Sequence, residues 1–346
     1  MIDHRTTRGR WWRRYLPGMR RPGPALGLFL LAPFVGEFLL GNLTGPDLAL
    51  GVFLAPLYGC GALLVREMGR RSGGWPTMVL LAAAYALIEE GPVDQLLWND
   101  DYAGHDYLSG DSYIPVLGMS VELTQAILAL HTVWSICVPI AIVEAFAKKR
   151  GPWLGRTGMT ITAVFYVLGA LLVFFGNYSE EHFLASPTQL IGITAVIVGL
   201  IVLAFLMPLR RLPRVRGRAP TPWMVGGAAL AVTSAYMGPS TLVTAGCYEW
   251  IGVVVWCVVV ACGVPLVSRW SRRDGWDGRH RFAIAAGATL TYVWTAFPTR
   301  PEGGGSLTVD LASNAVFGAV SIVILVLAGR RVATRSDRSP AAVDPR

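Results

Sequence analysis

Charge is scarce in this sequence. Only 15% of its 346 residues are Asp, Glu, Lys or Arg, where a soluble domain carries about 25%. Lysine is almost missing: two lysines stand beside 28 arginines. The five cysteines form no C-x-x-C pair, and Cys60, Cys137, Cys257 and Cys262 all lie in apolar runs, with Cys247 alone near a helix end. That excludes a disulfide framework and reads as small buried apolar residues. No G-x-S-x-G, H-E-x-x-H or P-loop is present, so no motif names a metal or a cofactor. No small-residue cleavage site follows the first apolar run, and there is no N-terminal lipidation motif and no C-a-a-X box. A cleaved signal peptide is therefore not expected.

What remains is apolar. Hydrophobic residues make up 53% of the chain and the mean hydropathy is +0.49. Low charge spread along the whole length implies an integral membrane protein and overrides the soluble-domain prior that length alone would set. The basic excess, +8 with a pI near 9.5, would suit nucleic acid. The basic residues, however, fall in short clusters between apolar runs, so nucleic acid is excluded and the lipid bilayer is the expected partner. The preference for Arg over Lys suggests a GC-rich bacterial genome, and so a bacterial cytoplasmic membrane.

A spanning helix needs about 20 mostly apolar residues. Ten runs qualify: 24–43, 48–66, 75–93, 120–146, 159–176, 188–208, 225–246, 249–267, 282–298 and 311–329. The expected fold class is all-α, a polytopic bundle of about ten transmembrane helices. The basic clusters orient it. They fall in the N-terminal tail, beside Arg66, Arg70 and Arg71, at 148–156, at 210–218, at 269–281 and in the C-terminal tail. The connections between these clusters hold one basic residue, Arg300, so 29 of the 30 Lys and Arg fall on alternate sides. Cytoplasmic loops carry the Lys/Arg excess, which predicts both termini in the cytoplasm. Trp11, Trp12, Trp75, Trp153, Trp223 and Trp250 sit near run ends, where interfacial anchors belong. The expected organisation is a basic cytoplasmic tail at 1–23, one transmembrane domain at 24–329 and a disordered cytoplasmic tail at 330–346. No loop is long enough for a soluble domain, and only the outer loop at 94–119 is large enough to fold over a site.

Ionisable groups at membrane depth are costly and need a partner or a purpose. Glu37 lies six residues before the outer end of the first run, roughly 9 Å deep. Glu89 and Glu90 end the third run at the same outer side, just before Gly91-Pro92, which ends the helix. His131 falls near the middle of the fourth. Ala83, Ala86 and Glu90 share a helix face, and small residues allow close approach, so Glu90 is expected to point into the bundle. Glu89 is rotated by about 100° from it and is expected to face another neighbour or water. The bland alternatives are a solvated Glu89 and a hydrogen-bonded core His131. Asp94 and Gln95 follow as candidate ligand-binding residues with Glu37. Glu144 is read as structural, paired to Lys148 four residues on. The loop residues Asp100, Asp101, His105, Asp106 and Asp111 match no EF-hand or zinc spacing and read as a solvated acidic loop. Runs five to ten carry almost no ionisable residue and read as scaffold, with Gly238-Pro239 as the one candidate break.

The adjacent glutamates resemble the E-E-x-x-x-R motif of the CAAX protease and bacteriocin-processing (CPBP) family of intramembrane proteases. His131 would stand for the histidine of its F-x-x-x-H motif. Asp94 stands where that family has Arg, and Ile127 where it has Phe. The resemblance implies a hydrolase in which Glu89, Glu90 and His131 activate water, with or without a metal. The segment is also similar to an E-E-G segment in uncharacterised multi-span bacterial membrane proteins, which brings no activity with it. Three functions stay open: a transporter for a small-molecule or lipid ligand, a CPBP-like hydrolase, and a non-catalytic immunity or assembly factor. The leading expectation is a multi-pass protein with an outward-facing carboxylate and histidine site.

Overall fold

The computed structural model describes residues 21–147, 151–207, 212–242, 248–301 and 303–336. Most of both expected tails lies outside these residues, as do Trp11, Trp12, Lys148, Lys149, Arg150, Arg210, Arg211 and Cys247. Among the described residues the chain forms ten helical rods, one for each apolar run. The first is α1 (Pro22–Pro33), continued by a wide turn at Phe34–Phe38. Then come α2 (Leu48–Arg71) and α3 (Trp75–Ile88), the latter extended through Glu89–Val93. The fourth rod joins α4 (Val121–Leu130) and α5 (Val138–Phe146) through His131–Cys137. The rest are α6 (Arg156–Glu181), α7 (Pro187–Leu206), α8 (Pro222–Leu242), α9 (Tyr248–Trp270), α10 (Gly278–Thr295) and α11 (Leu307–Ser336). Strand is confined to a two-residue antiparallel pair, Tyr113–Ile114 with Met119–Ser120, in the loop between α3 and α4.

Six rods are long and apolar enough to cross a membrane by length and composition: α2, α4–α5, α6, α7, α9 and α11. Burial sorts them. In the fourth rod 67% of the apolar window is buried, against 6% in α9, so α4–α5 is central and α9 peripheral. Apolar residues on α6, α7 and α9, such as Leu168, Phe175, Ile191 and Val254, are exposed. In water such faces would aggregate; in a bilayer they face lipid.

Glycines set how closely the rods pack. A Cβ on Gly59 would lie 2.3 Å from the Phe29 carbonyl oxygen. That carbonyl is four residues before Pro33, whose ring nitrogen has no hydrogen to donate to it, so α2 passes against a turn of α1 opened by proline. Gly287 on α10 meets the backbone of α8 in the same way, with 2.5 Å from its built Cβ to Gly226 O. The fourth rod bridges the halves of the chain: Trp134 stacks on Tyr292 with ring centroids 4.6 Å apart and donates Nε1–H to Ala288 O at 2.8 Å. The candidate break at Gly238-Pro239 does not interrupt the helix: α8 includes Pro239 and runs through to Leu242.

Several charged residues are held differently from the expectation. Glu144 pairs with Arg66 at 3.1 Å and with Arg70, while its expected partner Lys148 lies outside the described residues. Arg66 and Glu67 are fully buried. Glu67 accepts from Arg66 at 2.5 Å and from the Trp153 N–H at 2.7 Å, and its carboxylate pairs with Arg71 at 2.9 Å. The Arg66 guanidinium lies 3.4 Å from the centroid of the Trp153 ring. Trp153 is thus the buried floor of an ionic lock, not an interfacial anchor, whereas Trp223 is 90% exposed. Arg300, the one basic residue out of pattern, pairs with the buried Asp310 at 3.0 Å, which compensates for its position.

Candidate functional site

Glu37, Glu89, Glu90 and His131 all sit on turns wider than an α-helix. The Leu39 N–H bonds to Phe34 O at 2.9 Å and the Asn42 N–H to Glu37 O at 3.1 Å, both five residues back. The Asp94 N–H reaches Glu89 O at 2.6 Å, again five back. The Val138 N–H reaches Val133 O. These are π turns, each carrying one extra residue, and such turns are frequent at functional sites. Proline accounts for their positions. Pro33, Pro92 and Pro139 each lack the N–H that an α-helical ladder needs, and each lies in or next to its π turn.

The wide turns aim the side chains at one another. His131 Nε2 lies 2.7 Å from Glu90 Oε1. Its Nδ1 lies 3.0 Å from Glu89 Oε2 and 3.1 Å from Ser135 Oγ. The Glu89 oxygen sits off the line of a hydrogen bond, and both Glu89 Oε2 and Glu90 Oε2 are buried without an aligned donor. Exposure is 2% for Glu89, 5% for Glu90 and 4% for His131. Glu89 therefore faces inward like its neighbour and does not turn to water. An imidazole has nitrogens on two edges, so a single ring can meet carboxylates a helical step apart.

Glu37 joins this group through Tyr58. The Tyr58 hydroxyl donates to Glu37 Oε1, and Asn42 Nδ2 donates to Glu37 Oε2 at 3.0 Å. The Tyr58 ring centroid is 5.9 Å from the His131 ring, and the Tyr85 ring is 6.4 Å from both. Tyr58, Tyr85, Asn42 and Ser135 escaped the sequence reading. Ser135 had a signal, four residues after His131 on the same face; the tyrosines looked like ordinary apolar filling.

Asp94 and Gln95 stand one turn further out. Asp94 Oδ1 accepts from the Tyr102 hydroxyl at 2.6 Å and from Asn177 Nδ2. Burial first, and the Glu90 carboxylate second, hold the Asp94 carboxyl well above the usual carboxylate range. Gln95 has φ +66 and its side-chain oxygen accepts the Ala185 N–H at 2.7 Å, tying the loop to the α6–α7 connection. No hydrogen bond or ion pair joins Asp94 or Gln95 to His131 among the described residues. In the acidic loop, Asp106 Oδ1 accepts the N–H groups of Leu108 and Ser109, both at 3.0 Å, a local turn. Among the described residues no group of three or more His, Cys, Asp or Glu is arranged to hold a metal ion.

The arrangement is suited to holding and passing protons. The Nε2 contact with Glu90 needs one hydrogen, which either the ring or a protonated carboxyl can supply.

The chain matches an uncharacterised membrane protein family over residues 27–295. That is most of its length, and the chain belongs to this family. No curated protein and no solved structure matches it.

Proposed function

We propose that this member of the uncharacterised membrane protein family is a proton-linked transporter of the bacterial cytoplasmic membrane. Both termini lie in the cytoplasm, and the loop at 94–119 covers the outer mouth. The observation that carries the reading is the His131 ring set between Glu89 and Glu90 at 3.0 and 2.7 Å, inside a spanning rod, with Glu37 one tyrosine away. Ionisable residues at membrane depth mark ion pathways, and chains of Glu and His serve as proton relays.

Glu89, Glu90 and His131 are buried together with Glu37 half-buried beside them, and no lysine or arginine pairs with any of the four among the described residues. Carboxyl groups set close together repel more strongly away from water, so a proton shared through the imidazole lowers the cost of keeping them there. A protein whose two accessibility states differ in proton affinity couples proton movement to the change of state. His131 passes the proton between Glu89 and Glu90, and Tyr58 extends the path to Glu37. The cargo is a small-molecule or lipid ligand.

The test is proton entry into proteoliposomes loaded with a pH-sensitive dye after an outer acid pulse. Wild type is expected to acidify the lumen faster than Glu90→Gln or His131→Ala. Equal rates in all three would overturn the reading. The CPBP-like hydrolase has less support, because Asp94 stands where that family has Arg and Ile127 where it has Phe.

A further inference from the structure

A pocket of about 70 Å³ opens between the first turns of α4, the end of α8 and the start of α9. It lies at the same end of the bundle as the 94–119 loop, since Glu249 at the start of α9 accepts the Ser112 N–H at 2.9 Å. Its polar lining is Glu122, Gln125, Tyr236 and Tyr248, and its apolar floor is Leu130 and Met237. Nothing in the proton-handling cluster uses these groups.

Gln125 is 5% exposed and Tyr236 is 9% exposed. The Tyr236 hydroxyl donates to Gln125 Oε1 at 2.8 Å, which fixes the amide and leaves its NH₂ as an unpartnered donor among the described residues. The Glu122 carboxylate likewise has no hydrogen-bond or ion-pair partner among them. Positions i and i+3 of a helix lie on one face, so the pocket presents a carboxyl acceptor and a neutral amide donor side by side on α4. Aromatic rings of Tyr236 and Tyr248 flank them, and a cation is attracted to such faces.

We propose that this pocket binds a vicinal amino alcohol. The ammonium pairs with Glu122 beside the tyrosine rings, and the hydroxyl oxygen accepts from the Gln125 amide. Such a molecule carries one ammonium and one hydroxyl on adjacent carbons, matching one carboxyl acceptor and one amide donor on the same helix face. The cavity volume admits ethanolamine or a molecule little larger. This goes beyond the proton-handling reading, and binding alone tests it. On that reading, the amino alcohol is also the cargo: Leu130, at the floor, immediately precedes His131.

The experiment is isothermal titration of the detergent-purified full chain with ethanolamine, with ethylamine as the analogue lacking the oxygen. Glycerophosphoethanolamine serves as the soluble form of the lipid headgroup. Wild type is expected to bind ethanolamine at least tenfold more tightly than ethylamine. Glu122→Gln is expected to lose at least tenfold for both amines. Gln125→Leu is expected to bring ethanolamine down to the level of ethylamine. Monodisperse elution of each variant guards against misfolding, and Gly199→Ala, on an open surface of α7 away from the pocket, is expected to keep wild-type binding. Binding of ethanolamine alone assigns the free amine; equal binding of glycerophosphoethanolamine assigns the headgroup. No binding of any of the three by wild type, or unchanged binding in folded Glu122→Gln, would overturn the proposal whatever the proton-flux assay gives.

Discussion

His131 Nε2 and Glu90 Oε1 stand 2.7 Å apart, and they reach each other from two different rods, each through a π turn. The ring lies within 3.0 Å of both glutamates. Its removal leaves two buried carboxyl groups without it, and losing one partner of a buried charged pair costs about 3–5 kcal/mol. His131→Ala is therefore expected to lower stability by about that much, and Glu90→Gln, which still offers His131 an acceptor, by about 1–2 kcal/mol. Unfolding in mixed micelles, followed by tryptophan fluorescence, measures both; a His131→Ala protein as stable as wild type would contradict the burial described.

The ionic lock at the other end depends on shape as well as charge. Arg66 uses its planar group twice, stacking on Trp153 at 3.4 Å and donating to Glu67, Glu144 and Gly151 O. A lysine has no plane to stack and no fork of donors. Arg66→Lys is expected to recover little of what Arg66→Ala loses, about 3–5 kcal/mol. Thermal melts of the two variants side by side would decide; full rescue by lysine would argue that charge alone matters.

Glycine replacements separate close packing from open surface. Gly59→Ala forces a methyl group against the Phe29 carbonyl, and Gly199 has nothing within 4 Å of its built Cβ. Gly199→Ala is expected to be neutral or stabilising by up to about 1 kcal/mol, the helix-propensity gain. Gly59→Ala is expected to destabilise by about 1–3 kcal/mol, the cost of overpacking. Similar melting temperatures for the two would show that α1 and α2 do not approach as described.

Asp277 caps α10. Burial works to raise its carboxyl, but the hydrogen bonds from His280 and from the Arg279 N–H outweigh it and hold it below the usual range. A depressed carboxyl stabilises the fold above its unfolded pKa of about 4 and loses that contribution as pH falls through the native value. Asp277→Ala is expected to cost about 1 kcal/mol at neutral pH, with the gap to wild type closing below about pH 4. Melting temperature against pH for both proteins tests it; a gap constant down to pH 3 would refute the capping role.

Orientation is open to labelling. Val116, 90% exposed in the 94–119 loop, and Arg214, on a basic loop and 91% exposed at its side chain, should lie on opposite sides of the membrane. In intact cells Val116→Cys is expected to react with an impermeant maleimide and Arg214→Cys only after permeabilisation. The reverse pattern would invert the topology.

The membrane architecture was legible because its cause is local. Twenty consecutive apolar residues make a span whatever they pack against, and each of the ten runs falls on a helical rod. The placement of Glu37, Glu90 and His131 on the first, third and fourth rods was legible for the same reason. The inward face of Glu90 also followed, from Ala83 and Ala86.

The facing of Glu89 did not. A regular helix turns it about 100° from Glu90, and only the ring of a residue 41 positions on from Glu90 brings both to one partner. Trp153 looked like an interfacial anchor until Arg66 was placed over it, and Glu144 looked like the local partner of Lys148 until the ends of α2 and α5 were brought together. By itself the sequence determined which segments leave water, because transfer free energy adds up residue by residue along the chain. The tertiary structure alone decided which buried charges meet. A hydrogen bond needs its two groups within about 3 Å, and that distance is set by the crossing of the rods, the glycines that let them approach and the π turns that re-aim their side chains.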